Sequence, residues 1–160
     1  MASEIERKFL VNRELWPAPP GGVTYRQGYL SVDPERTVRV RTVGPDAFIT
    51  VKGLTRGVER LEFEYAIPAH DAQIMLDRLC LKPMIEKTRF RIEFAGHVWE
   101  VDEFMGDNAG LLLAEIELPA SDTHFDMPPW AGAEVSGDPR YFNSNLVREP
   151  YKTWSDGERR

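Results

Sequence analysis

The sequence predicts a mainly β protein: an eight-stranded antiparallel β-barrel that closes around an ionic interior, with a few helices packed outside. Three observations predict this fold class. Much of the chain alternates between apolar and polar residues at the two-residue period of a strand. Glycine and proline are concentrated in the connections between the alternating segments. The polar faces of these segments are almost entirely ionic, which is unusual for strands that face bulk solvent.

Eight segments alternate in this way and are predicted as strands. They span residues 4–11, 24–31, 36–43, 47–52, 59–67, 86–94, 97–104 and 111–118. The connections at Gly44-Pro45 and Ala95-Gly96 are short. We therefore expect the strands on either side of each connection to form an antiparallel hairpin.

Two helices are predicted outside the strands. The first spans residues 69–81, and the second spans residues 139–146 with Asp138 as its N-cap. The apolar stripe of the first helix consists of Ile74, Leu76, Leu79 and Cys80. Cys80 is the single cysteine, which excludes an intrachain disulfide, and its place in the stripe predicts a buried apolar thiol.

Length and composition restrict the class of protein. The 160 residues fit one domain, residues 1–160. The net charge of −6 argues against broad nucleic-acid binding. No apolar run reaches the roughly 20 residues of a membrane span, and the N-terminus lacks the profile of a secretory signal. A cytoplasmic protein that contacts neither nucleic acid nor membrane is therefore expected.

The ionic faces are segregated by sign. Residues two apart in a strand share a face, and most predicted strands carry charges of one sign on that face. The basic residues are Lys8, Arg39, Arg41, Lys52, Lys87, Arg89 and Arg91, and the acidic residues are Glu4, Glu6, Glu62, Glu64, Glu100, Asp102, Glu115 and Glu117. A solvated outer face is the simpler interpretation of any single strand. The segregation and the excess of arginine, whose planar fork suits phosphate, favour a polyanion with its counter-cations.

Two architectures could present these charges. An open sheet would bind its ligand on a flat surface and would leave its edge strands unprotected. Eight strands can instead close into a barrel around a ligand-sized space. A closed ionic interior must hold water, metal ions or an anionic ligand, because burying unpaired charges costs several kcal/mol each. The carboxylate pairs at 4/6 and 115/117 are hard ligands suited to Mg²⁺ or Mn²⁺, and phosphates could bridge such a metal to the basic residues.

The ordered motifs resemble the CYTH domain family, the triphosphate tunnel metalloenzymes. The N-terminal Glu4-Ile5-Glu6-Arg7-Lys8 matches the ExExK signature of that family. Further resemblance lies in 26–30, 37–41, 50–53, Glu62 and Glu64, 87–89, 115–117, and a C-terminal segment from Glu134 to Leu146. One departure is Ala133, where relatives often carry a basic residue that contacts phosphate.

The resemblance implies roles for individual residues in an eight-stranded tunnel that requires Mg²⁺ or Mn²⁺. The phosphate-binding residues would be Lys8, Arg39, Arg41, Lys52, Lys87 and Arg89. The metal ligands would be Glu4, Glu6, Glu115 and Glu117, with Glu62 and Asp102 as further or water-mediated ligands. Lys8 and Tyr29 would act as a catalytic pair, with Glu4 as a third catalytic residue.

The leading functional hypothesis is hydrolysis of inorganic triphosphate to pyrophosphate and phosphate, because the predicted interior offers mainly charge. Adenylate cyclase, thiamine triphosphatase and nucleoside triphosphatase activities would use the same tunnel and remain alternatives. A non-catalytic module that binds polyphosphate or a nucleotide is a further alternative, as is a structural domain with a charged exterior. The expected partner is a small-molecule triphosphate, and a homodimer is an open option.

Overall fold

The computed structural model of the protein describes residues 3–159. Within these residues nine strands form one antiparallel sheet in the order β5-β4-β3-β2-β6-β7-β8-β1-β9, and β5 also pairs with β1. This last pairing joins Ser3 to Leu61 and Ile5 to Glu59, so the first eight strands close into a barrel. The strands are β1 Ser3–Val11, β2 Val23–Ser31, β3 Thr37–Val43, β4 Asp46–Lys52, β5 Glu59–Ala66, β6 Ile85–Phe94, β7 His97–Phe104, β8 Leu112–Glu117 and β9 Ala131–Glu134.

The closed eight-stranded barrel predicted from the alternation is confirmed. Each predicted strand begins and ends within one residue of its observed bounds. The hairpins predicted at Gly44 and at Ala95-Gly96 join β3 to β4 and β6 to β7. Gly44 and Gly96 both have positive φ, the backbone conformation that glycine adopts without steric cost.

The remaining elements differ from the prediction. Strand β9 was not predicted because its sequence, Ala-Gly-Ala-Glu, lacks alternation; it pairs with the end of β1. The first helix, α1, spans Ala69–Arg78 and ends three residues earlier than predicted. The predicted second helix is a 3₁₀ turn, Pro139–Tyr141, followed by α2, Asn143–Arg148, and extended backbone at Phe142 separates the two. The side chain of Asp138 caps the turn by accepting from the Arg140 amide. Within residues 3–159 no helix is long and apolar enough to span a membrane.

The apolar faces of the strands point outward and are covered by two segments, while a third packs on inward-facing residues. Residues 118–130 supply Phe125 and Trp130, which pack on β1, β7 and β8. The C-terminal segment packs with Tyr141, Leu146 and Trp154 on Tyr29, Ile85 and Leu113, which lie on the inward faces of β2, β6 and β8. Helix α1 covers β3 and β4.

The predicted apolar stripe of α1 is wrong in part. Ile74 is 41% exposed and Leu79 is 63% exposed. The buried residues are instead Ala72, Leu76 and Cys80, spaced four apart along the chain. The buried apolar thiol predicted for Cys80 is confirmed.

The close approach of α1 to the barrel gives a test of packing. A Cβ at Gly28 of β2 would lie 2.7 Å from Cβ of Cys80, so Gly28→Ala forces the two elements apart. We expect the free energy of unfolding to fall by about 1–3 kcal/mol, measured by urea denaturation. Gly137→Ala is the matched control, because a Cβ there meets nothing within 4 Å. Equal stability of the two variants would contradict this packing.

Candidate active site

The barrel interior contains a cavity of about 320 Å³ lined mainly by charged side chains. All of the predicted site residues except Asp102 line this cavity. They are Glu4, Glu6, Lys8, Tyr29, Arg39, Arg41, Lys52, Glu62, Lys87, Arg89, Glu115 and Glu117. The like-facing residues of separate strands therefore converge on one enclosed space, because the strand period is kept all around the barrel.

The charges form two opposed walls. Strands β3 and β6 flank β2 and carry arginines and a lysine inward; we call Arg39, Arg41, Lys87 and Arg89 the basic wall. Strands β8, β1 and β5 are neighbours on the other side of the closed barrel. We call their inward residues Glu4, Glu6, Glu62, Glu115 and Glu117 the acidic wall. The order of strands, rather than any one motif, thus places cations across the cavity from carboxylates.

The arginines of β3 have more donors than the protein satisfies. Arg39 Nη2 donates to Thr50 at 3.2 Å and to Glu64 at 3.4 Å, and Arg41 Nη2 lies 3.6 Å from the same carboxylate. The buried Nε atoms of Arg39 and Arg41 have no hydrogen-bond partner within residues 3–159. Burial and the charges of Arg39 and Arg89 lower the pKa of Arg41. A guanidinium carries five N–H donors, so this wall is suited to an anion.

Asp102 lies behind the basic wall and not in the cavity. Its carboxylate accepts two hydrogen bonds from Arg89, at 2.7 and 2.9 Å, and lies 2.9 Å from Nζ of Lys87. Burial lowers the pKa of Lys87 to about 8, an effect that Asp102 opposes. Burial raises the pKa of Asp102, but the charges of Arg89 and Lys87 outweigh it and hold that pKa below its ordinary value. Both oxygens of Asp102, predicted as a further metal ligand, are thus engaged by cations.

The carboxylates of the acidic wall are crowded in pairs. Glu4 lies beside Glu62, and Glu6 beside Glu115. Burial and neighbouring carboxylates raise the pKa of Glu4, of Glu117 and, most strongly, of Glu6. Burial also raises the pKa of Glu115, but the charges of Lys8, Arg89 and Lys87 outweigh it and keep that pKa low.

Crowded carboxylates of this kind fit a divalent cation. Adjacent carboxylates are stabilised by a positive charge between them. Lys52 supplies one at Glu4 and Glu62, where its Nζ lies 3.2 and 3.1 Å from the two carboxylates. Carboxylate oxygens are also the ligands that Mg²⁺ and Mn²⁺ prefer. Within residues 3–159 no three acidic, histidine or cysteine side chains already surround a single point. The carboxylates that could bind a metal ion therefore occur as pairs, Glu4 with Glu62 and Glu6 with Glu115. Glu117 lies opposite Glu6 in the β1–β8 register.

Lys8 and Tyr29 line the same cavity but have different partners. Lys8 Nζ donates to the carbonyl oxygen of Tyr141 at 3.1 Å and lies 3.5 Å from Glu115. The Tyr29 hydroxyl accepts from Nε2 of Gln27 at 3.2 Å. No hydrogen bond joins Lys8 to Tyr29 in the described part of the chain. Their predicted pairing stays a prediction.

No role was predicted for three residues of the site. Tyr25 lines the cavity and shares the inward face of β2 with Gln27 and Tyr29, and the two-residue period could have found it. Asn143 Oδ1 accepts from Lys87 at 3.0 Å and from Gln27 at 3.1 Å; Gln27 and Asn143 lie in segments that carry the family resemblance, but no role was predicted for them from the resemblance. Ala133 is exposed on β9 and is not part of the cavity wall.

Comparison with known proteins agrees with this geometry. The CYTH domain model matches residues 2–151. The inorganic triphosphatase of Acetivibrio thermocellus is 50% identical over 156 residues, which cover 98% of this chain and 100% of the relative. The inorganic triphosphatase of Nitrosomonas europaea is 36% identical over 153 residues, which cover 91% of this chain and 97% of the relative.

Solved structures show the same similarity. The crystal structure of the inorganic triphosphatase NE1496 superposes with a TM-score of 0.66 at 34% identity and covers 92% of this chain and 95% of its own. The structure of the PH1012 protein of Pyrococcus horikoshii superposes with a TM-score of 0.56 at 20% identity and covers 74% of this chain and 80% of the PH1012 chain. At this identity the similarity shows the fold alone. The match of the family model over most of the chain and the two relatives above 30% identity establish that the chain belongs to the CYTH domain family.

Proposed function

We propose that the chain hydrolyses inorganic triphosphate to pyrophosphate and phosphate inside the barrel, with Mg²⁺ or Mn²⁺ as the cofactor. The observation that carries this proposal is the enclosed cavity with its basic wall facing its acidic wall. Linear triphosphate presents charged oxygens along its whole length, and this lining is chiefly ionic. The activity of the two inorganic triphosphatases to which the chain is similar supports the same substrate.

The basic residues bind and position the substrate. Lys8, Arg39, Arg41, Lys52, Lys87 and Arg89 line the cavity and can donate to phosphate oxygens. Asp102 acts through its neighbours, because its two oxygens hold Arg89 and Lys87 in place. Positioning and charge neutralisation supply most of the catalysis in phosphoryl transfer, so this fixed wall accounts for much of the expected rate.

The acidic residues would hold the metal. Glu4, Glu6, Glu115 and Glu117 are the proposed ligands, and Glu62 is a further one through its contact with Glu4. The bound cation would neutralise phosphate charge and lower the pKa of a bound water. Without a cation these carboxylates would repel the substrate, which argues against a module that binds the anion alone.

Lys8, Tyr29 and Glu4 are the proposed catalytic residues. Lys8 lines the cavity with its Nζ 3.5 Å from Glu115, and it can stabilise the negative charge that develops on the leaving pyrophosphate oxygen. Tyr29 is buried with its hydroxyl already accepting from Gln27, so its own proton is free to be donated toward the cavity. In this proposal water attacks the terminal phosphorus and gives up a proton to solvent, the bond from that phosphorus to the bridging oxygen breaks, and pyrophosphate leaves with the electron pair of that bond.

A second cavity favours one alternative substrate. It measures about 350 Å³ and shares Thr37, Arg60 and Phe142 with the first cavity, but apolar residues such as Val32 and Leu54 line much of it. An organic group attached to a triphosphate would fit such a lining better than a free phosphate would. Nucleoside triphosphate hydrolysis is therefore the second candidate function.

A phosphate-release assay tests the proposal. We expect the highest kcat/KM with tripolyphosphate, lower values with ATP and thiamine triphosphate, and complete loss of activity in EDTA that Mg²⁺ or Mn²⁺ restores. A preference for ATP would establish the second candidate instead. Activity that persists in EDTA would refute the metal requirement, and no hydrolysis of any substrate would refute an enzyme of this class.

Substitution of single carboxylates tests the metal ligands. Glu4→Gln and Glu117→Gln should each lower kcat at least about 100-fold, because a lost ligand removes several kcal/mol of charge stabilisation. Stability should be kept or raised, since burial and neighbouring carboxylates already raise the pKa of both groups. The matched control is Glu103→Gln on the exposed side of β7. Near-normal kcat in both cavity variants would overturn the assignment.

A further inference from the structure

Tyr25 lies at the centre of the basic wall. It belongs to β2, the strand between β3 and β6, and it faces Val43 on one neighbour and Lys87 on the other. The guanidinium carbon of Arg41 lies 5.0 Å from the centroid of its ring, and that of Arg89 lies 4.9 Å from it. One aromatic ring thus contacts a cation from each of the two flanking strands, and it lines the cavity beside them.

Arg41 and Arg89 differ in their other interactions with the protein. Arg89 is fixed by its paired hydrogen bonds to Asp102. Arg41 has a weaker acidic partner, Glu64 at 3.6 Å, which it shares with Arg39. The charges of Arg39 and Arg89 also act against Arg41. The negative face of an aromatic ring attracts a guanidinium without consuming its donors, so Tyr25 can hold Arg41 in place and leave its N–H groups for a ligand.

We propose that Tyr25 is a positioning residue for the substrate, which holds the guanidiniums of Arg41 and Arg89 beside each other and directs them at the phosphates. This inference rests on the proposed triphosphatase function. The role belongs to the ring and not to the hydroxyl, since both contacts are made with the ring. Tyr25 therefore acts through the arginines and takes no part in proton transfer.

The test compares Tyr25→Leu with Tyr25→Phe. Tyr25→Leu removes the ring, and we expect KM for tripolyphosphate to rise about tenfold while kcat changes less than about threefold, which is the size expected for two lost cation–π contacts. Tyr25→Phe keeps the ring and should restore KM to within about twofold of the unsubstituted protein. Tyr65→Leu, at an outward tyrosine of β5 that is 60% exposed, is the matched control and should leave both constants unchanged.

A double substitution separates this role from general support of the barrel. In an Arg41→Gln background, Tyr25→Leu should raise KM less than it does alone, because one of the two arginines that it positions is already gone and Asp102 still holds the other. If Tyr25→Leu does not fold, Tyr25→Met serves in its place in the same comparisons. An unchanged KM in the ring-less variant, or a tenfold rise in Tyr25→Phe as well, would overturn the inference. Absence of tripolyphosphate hydrolysis by the unsubstituted protein would instead refute the function on which the inference rests.

Discussion

The structure depends on one constraint: charges enclosed in a barrel must be paired, hydrated or bound to a ligand. The interior carries lysines, arginines and glutamates that are largely withdrawn from solvent, and burying a lone charge costs several kcal/mol. Some of these charges are paired within the basic wall, where Asp102 forms ion pairs with Lys87 and Arg89. Within residues 3–159 the rest is left open, in the unpaired Nε donors of Arg39 and Arg41 and in the crowded carboxylates of Glu6 and Glu117. Binding an anion together with cations would satisfy both sides at once.

The same constraint explains the outside of the barrel. Because the charged faces point inward, the apolar faces point outward and need cover. Helix α1 and the segment 118–130 supply that cover with Leu76 and Trp130. The C-terminal segment instead packs on inward-facing residues such as Tyr29, and its Tyr141 carbonyl and Asn143 amide bind Lys8 and Lys87. The packing of the C-terminal segment and the arrangement of the site are therefore coupled through the same residues.

Alternation along the chain was sufficient to predict the strands and the inward set of charges, since the period of two is a local property of each strand. It could not predict partners that depend on register. Asp102 and Glu115 look alike in sequence, yet Asp102 faces Arg89 across β6–β7 and is neutralised, whereas Glu115 lines the cavity. Tyr25 was missed because the inward face of β2 is uncharged. The contact of Asn143 with Lys87 was not predicted, because it depends on how the C-terminal segment packs on the barrel. The end of α1 depends on packing and the formation of β9 depends on strand pairing. Local sequence propensity predicts neither.

The central claim is that a triphosphate and its metal occupy the space between the two walls. A crystal structure with Mn²⁺ and a slowly hydrolysed triphosphate analogue, measured at the manganese absorption edge, tests it most directly. The account predicts an anomalous peak against the acidic wall, at Glu4, Glu6, Glu115 and Glu117, and phosphate density against Arg39, Arg41, Lys87 and Arg89. Manganese or phosphate bound outside the barrel, with the interior filled by water alone, would contradict it.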